Sequence, residues 1–240
     1  MEDTVLSAQD ARDLREFQRI RRETEVSLSL KKLVVDAKRR EVDRFAVKKA
    51  CESAKKFNAA AIVVSPIFVQ AARKELGKRA LSQLCCEVGA TGETLLSVKK
   101  TEAKKVVRAG AQMIRLVPCY SRLFSGNKDY VKREVKAIRR AAKKCTVVLS
   151  LEDRALGEKQ LLLGIRAAIE GRANAVCVRG ESELLLKAVE ACGEKIAVEV
   201  SGVENAEQLR LLLKAGAVRF QTTGAERIAE EMTSHLNEAR

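Results

Sequence analysis

Short aliphatic runs alternate along this chain with longer stretches in which apolar positions recur every three to four residues. The first pattern is that of a strand buried on both faces, and the second that of an amphipathic helix, so each repeat reads as one βα unit. Strands are predicted at Leu33–Asp36, Ala60–Ser65, Gln83–Glu87, Gln112–Val117, Thr146–Leu151, Asn174–Val178, Ile196–Val200 and Val218–Thr222. Helices follow at about 43–57, 67–78, 98–109, 129–143, 158–170, 181–191, 205–215 and 224–238. Asn58, Gly110, Gly171, Gly193 and Gly216 end helices with residues that tolerate a left-handed backbone. Asp43 and Asn205 are good N-caps.

Parallel strands that are apolar on both faces must close into a barrel or spread into a wide open sheet. No GxGxxG turn follows the first strand, which disfavours a dinucleotide-binding sheet. The expected architecture is α/β, a single (β/α)8 TIM barrel over 31–240, and the 240-residue length suits it. Residues 1–30 read as an N-terminal helical extension with a helix at about 8–22.

Composition narrows the setting. Aromatic residues make up 3% of the chain and Trp is absent, so the core must be aliphatic. Apolar runs such as Ala59–Val64 stop far short of the ~18 residues a membrane helix needs. Met1-Glu2-Asp3 opens a charged segment without a signal-peptide core, and a cytoplasmic protein with no membrane contact is expected. Seven cysteines form no CxxC pair, and Cys85, Cys86 and Cys177 lie in strand-like runs, as buried free thiols do. With His235 the only histidine, no Zn or non-haem iron site is expected, and nothing calls for a cofactor.

The net charge of +14 is unevenly placed. Residues 1–144 carry a net +17 and residues 145–240 a net −3, with paired basics such as Lys48-Lys49, Lys104-Lys105 and Arg139-Arg140 in helical stretches. Either this is a solvated outer wall or it steers an anionic partner, nucleic acid or protein. The scarcity of aromatics to stack bases weighs against nucleic acid.

In a (β/α)8 barrel the reactive groups sit at the C-terminal strand ends and in the loops that follow. The candidates there are Asp36, Ser65, Glu87, Arg115, Ser150, Cys177, Arg179, Glu199, Ser201, Thr222 and Thr223. Strand alternation puts Arg115 on the face of Met113 and Val117, Cys177 on that of Ala175 and Arg179, and Glu199 on that of Ala197 and Ser201.

Several segments resemble the deoxyribose-phosphate aldolase family. Asn58–Pro66 (NAAAIVVSP) is similar to its second strand, with Cys51 in a matching place on the helix before it. Thr101–Val117 (TEAKKVVRAGAQMIRLV) resembles its third helix and fourth strand, and Phe124–Val131 (FSGNKDYV) the loop with a Ser-Gly-Asp-Tyr core. Ile196–Asn205 (IAVEVSGVEN) and Ala215–Thr223 (AGAVRFQTT) resemble its last two strands, and the likeness runs over about 33–230.

The resemblance implies class I aldol cleavage of 2-deoxyribose 5-phosphate through a Schiff base on a strand-six Lys, with a strand-seven Lys and a strand-four Asp assisting. At those positions this chain has Cys177, Glu199 and Arg115, while Val34 and Ser150 replace acids on strands one and five. A Schiff base needs a primary amine, which neither a thiol nor a carboxylate supplies. Lys99 and Lys195 are the relocated candidates, but one lies in a helix and the other precedes a strand.

The resemblance also implies phosphate binding by the loops after strands six to eight. Here these offer Arg179-Gly180, Ser201-Gly202 (followed by Val203) and Thr222-Thr223-Gly224. The leading expectation is a barrel without class I activity that binds a phosphorylated metabolite or a protein partner, or forms a homodimer. The alternatives are altered chemistry, with Glu199 as base, Arg115 as anion clamp and Cys177 as nucleophile, or an active aldolase. Arg115 and Glu199 are predicted to pair across the barrel mouth, since neither charge is stable alone there.

Overall fold

The computed structural model describes residues 23–38, 43–180 and 184–237. The strands are β1 (Leu33–Ala37), β2 (Ala61–Val64), β3 (Gln83–Val88), β4 (Met113–Leu116), β5 (Thr146–Leu151), β6 (Ala175–Arg179), β7 (Ala197–Ser201) and β8 (Arg219–Thr222). All pair in parallel with their sequence neighbours, and β8 closes on β1 through Leu33↔Phe220, Val34↔Gln221 and Val35↔Thr222. Outside run α1 (Arg44–Lys56), α2 (Val69–Leu76), α3 (Leu96–Arg108), α4 (Tyr120–Phe124), α5 (Lys128–Ala141), α6 (Glu158–Gly171), α7 (Leu185–Cys192), α8 (Ala206–Lys214) and α9 (Ala225–Asn237). Among the described residues no helix is long and apolar enough to cross a membrane.

Alternation along each strand divides the core in two. One set of side chains, including Leu33, Ile62, Leu84, Ile114, Leu149, Val176, Val198 and Phe220, points outward into the helices. The other fills the barrel with smaller residues: Val34, Ala61, Val63, Cys85, Met113, Val148, Ala175 and Cys177. Cys51, Cys85, Cys86, Cys119, Cys177 and Cys192 are buried free thiols, and Cys145 is half-buried.

The expected strand Thr146–Leu151 coincides with the observed one, and the others differ by one residue at one or both ends. The Asp43 side chain caps α1 by accepting from the Ala46 amide at 2.7 Å, and Asn205 caps α8 by accepting from the Gln208 amide at 2.8 Å. Gly171 departs from expectation. It is the last residue of α6, and Arg172 takes the left-handed conformation at φ 63°. The glycine is needed for packing instead, because a Cβ there would sit 2.6 Å from Val135 of α5. Two short elements were not expected: the 3-10 turn Pro66–Phe68 leading into α2, and α4. Both are too brief to display a period. The helix predicted at 8–22 lies outside the described residues, whereas 23–30 is helical and leads into β1.

Candidate functional site

The barrel interior changes from apolar to charged toward the C-terminal strand ends. Arg115 on β4 and Glu199 on β7, 0% and 1% exposed, meet with Nη2 donating to Oε2 at 2.9 Å, as predicted from their positions. They have a third partner that the sequence did not disclose. Arg219 on β8 donates through Nη1 to the other oxygen of Glu199 at 2.8 Å. The small Ala61, Ala175 and Ala197 on the inner face leave room for guanidinium groups to cross the interior.

Above this trio lies a second cluster. Lys38 pairs with Glu87 at 2.5 Å, and Glu152 lies 3.7 Å from Nη1 of Arg115 and accepts from the Ser150 hydroxyl. Asp36 accepts from Gln221 Nε2 at 2.6 Å and from the Lys38 amide at 3.0 Å. Burial alone would raise the Glu152 carboxyl, but Arg115, Lys38 and the hydroxyls of Ser150 and Ser201 hold it down at about 2. Burial likewise opposes the Lys38 ammonium, yet Glu152 and Glu87 outweigh it and raise its pKa. Lys38 and Glu152 each lie two residues beyond a candidate, Asp36 and Ser150. Carrying the strand alternation one step past each strand end would have found them.

Cys177 lies among these charges, fully buried. Burial pushes its thiol well up, and the nearby Arg115 guanidinium does not compensate. The thiolate needed of a nucleophile is therefore disfavoured, which weighs against the role considered for Cys177. Glu199, the candidate base, has both oxygens engaged by guanidinium donors.

The predicted anion-binding residues follow three neighbouring strands and border two clefts. Arg179 lines a cleft of about 270 Å3 with Arg154 and Asp153, whereas Thr223 and Gly224 line another of about 390 Å3 with Lys49 and Arg227 at the start of α9. The Gly180 amide donates to the Ser201 carbonyl at 2.7 Å, and the Gly224 amide to Thr222 Oγ1 at 2.9 Å. Thr222 falls on the outward face with Phe220, and its hydroxyl oxygen accepts the Gly224 amide of the turn. Ser201 donates to the Val178 carbonyl at 3.3 Å. Gly202, at φ 77°, has nothing within 4 Å of where a Cβ would stand. Ser65 follows β2 at the head of the 3-10 turn, and Val203 is buried with its amide on the Gln221 carbonyl.

Neither relocated lysine reaches the interior. Lys195 is exposed in the turn before β7. Lys99 is 0% exposed but lies behind the barrel, where Nζ donates to the Gly92 and Val117 carbonyls at 2.8 and 2.9 Å and to Glu134 at 2.7 Å. Glu134, on α5, also accepts from the Cys119 amide at 2.9 Å, so this buried pair ties together the loops after β3 and β4. Among the described residues, no group of three or more His, Cys, Asp or Glu side chains could hold a metal ion.

No family model matches the chain. Among curated proteins it is 30% identical to the deoxyribose-phosphate aldolase of Clostridium botulinum over 183 residues, 72% of this chain and 85% of that one. It is 29% identical to that of Caldanaerobacter subterraneus over 200 residues, 77% and 85% of the two chains. Among solved structures, the deoxyribose phosphate aldolase of Aeropyrum pernix, described as a tetramer, superposes with a TM-score of 0.79 at 22% identity, covering 96% of this chain and 100% of that one. A further structure described as an aldolase gives a TM-score of 0.81 at 25% identity, covering 88% and 98%.

Proposed function

The chain belongs to the deoxyribose-phosphate aldolase family, and we propose that it is a member without Schiff-base chemistry that binds a small phosphorylated molecule. The observation that carries this reading is the state of the lysines. The amine at the mouth, Lys38, is held as an ammonium by Glu87 and Glu152, and the buried amine, Lys99, has three acceptors around it. A carbonyl is attacked by a free lone pair; the raised pKa of Lys38 withholds one, and Lys99 is enclosed behind the barrel, away from the mouth. Position 177 is a buried thiol, and the interior is filled by Arg115, Glu199 and Arg219. The same geometry weighs against altered chemistry, since Glu199 is clamped on both oxygens and the Cys177 thiol resists ionisation.

Phosphate binding rests on the loops after β6, β7 and β8. The amides at the start of a 13-residue helix favour an anion, and α9 begins beside Thr223 and Gly224 with Arg227 and Lys49 lining the same cleft. Gly202 follows β7, the strand between β6 and β8, while Arg179 lines the neighbouring cleft.

Two measurements test the two halves separately. Borohydride with deoxyribose 5-phosphate or acetaldehyde should leave the intact mass unchanged; a stoichiometric adduct on Lys38 or any other barrel lysine would refute the first half. For a Kd of about 0.1–1 mM, 10 mM deoxyribose 5-phosphate should stabilise the fold by about 1.4–2.7 kcal/mol. Thr223→Ala with Arg227→Ala should abolish that shift. A melting temperature unmoved by the sugar phosphate and by inorganic phosphate rules the site out.

A further inference from the structure

On the outer wall, a groove of about 650 Å3 runs between α2 and α3. Pro66, Val106 and Ala109 line it, together with Ile67 and Val98, which are 82% and 50% exposed. Leu95, three residues before Val98, is 71% exposed. Large aliphatic side chains exposed this close together are the mark of an interaction surface more than of a monomer's ordinary exterior.

The groove is also graded in charge. Helical spacing continues the stripe Ile67–Gln70 to Lys74 on α2, and continues Val98–Thr101 to Lys105 and Arg108 on α3. Lys74, Lys105 and Arg108 are exposed, and Lys105 lines the groove itself. The acid among the lining residues, Glu102, is turned to the Gly89 amide at 2.8 Å. The exposed large aliphatic side chains Ile67, Leu95 and Val98 thus sit toward the N-terminal ends of the two helices and the cations toward their C-terminal ends.

We propose that this groove docks a short amphipathic helix of an acidic partner protein. The helix would lay its apolar stripe on Ile67 and Val98 and set its carboxylates against Lys74, Lys105 and Arg108, the helix-in-groove mode. A groove along α3, with 13 residues at about 1.5 Å rise each, accommodates about three to four turns. Charge argues against a second copy of this chain, because Lys74, Lys105 and Arg108 would meet the same cations across a two-fold contact. Nucleic acid would leave Ile67 and Val98 unused, and no aromatic side chain lines the groove to stack a base.

The probe is a fluorescein-labelled 16-residue peptide with Leu at helical i, i+3, i+4 and i+7 spacing and Glu on the flanks, read by fluorescence anisotropy. Its control has the same composition scrambled to destroy the stripe. The striped peptide should bind with a Kd on the order of 10 µM and the scrambled one at least tenfold more weakly. Ile67→Asp with Val98→Asp should weaken binding tenfold or more at an unchanged circular dichroism spectrum. Lys74→Glu with Lys105→Glu should weaken it several-fold and reduce its salt dependence. Equal binding of the two peptides, binding indifferent to Ile67 and Val98, or no binding would each overturn the proposal. So would tighter binding of a single-stranded oligonucleotide at the same residues, or a fall in sedimentation mass in the Ile67→Asp, Val98→Asp chain.

Discussion

Replacing Glu199 by Gln should damage the fold more than replacing Arg115 by Met, although the two side chains form one ion pair. In the E199Q chain Arg115 loses its 2.9 Å carboxylate contact, its Nε and Nη1 already lack hydrogen-bond partners, and the nearest remaining acid is Glu152 at 3.7 Å. A buried guanidinium left in that state costs about 3–5 kcal/mol. In the R115M chain Glu199 keeps Arg219 at 2.8 Å, and Met fills much of the vacated space, so a loss of about 1–2 kcal/mol is expected. The double substitution strands no buried charge, because Arg219 is 31% exposed and can turn to water; it should be close to R115M alone. For a chain of this length each kcal/mol shifts the melting temperature by roughly 2–4 °C, which gives drops of roughly 6–20 °C for E199Q and 2–8 °C for R115M. Differential scanning calorimetry of the two single variants and the double variant decides the matter. Equal losses for the single variants, or losses that add in the double, would refute a three-membered network centred on Glu199.

Other consequences follow from the second cluster and from the buried lysine. Glu152 is held at about 2 in the fold against 4.5 as its ordinary value, so between those pH values the unfolded chain binds the proton and the folded one does not. Its contribution, up to about 3 kcal/mol, is present above pH 4.5 and disappears as the pH falls toward 2. Glu152→Gln should flatten the urea midpoint across that window, and an unchanged slope would contradict the assignment. Lys99→Met leaves the buried Glu134 without its cation and should cost about 3–5 kcal/mol, with faster amide exchange at Cys119. Exchange as slow as in the parent chain would mean that the pair does not hold the loops.

The barrel was legible because its strands are continuous apolar runs and its helices carry a clear stripe, patterns that tertiary structure had little reason to override. The Arg115–Glu199 pair was legible for an energetic reason, since two opposite charges on inward positions must find each other. Arg219, Lys38 and Glu152 were not, because they stand at or just beyond strand ends, where alternation is easily abandoned as a guide. Lys99 does lie in a helix and not in the interior, but its buried pairing with Glu134 was not foreseen. Lys99 falls on the stripe Leu96–Lys99–Ala103–Val106, and Glu134 on Val131–Glu134–Val135–Ile138. Opposite charges embedded in two facing apolar stripes are the signature of a buried pair, and that signal was present. The amides after β6 and β8 were expected to face a ligand, yet turn closure uses those of Gly180 and Gly224, a competition that residue identity does not express.

The trio of Arg115, Glu199 and Arg219 also limits where this sequence can go. A lysine placed at position 177 would set an ammonium beside Arg115, in an interior whose central carboxylate already serves two guanidinium groups. A lysine at position 199 would remove that carboxylate and leave three cations together. Either change taken alone passes through a poorly folded chain, so an amine-bearing interior lies several coordinated substitutions away. The network acts as a ratchet: each charge is retained because the others are there, and a search for an amine at position 177 or 199 by single mutations should stall at stability.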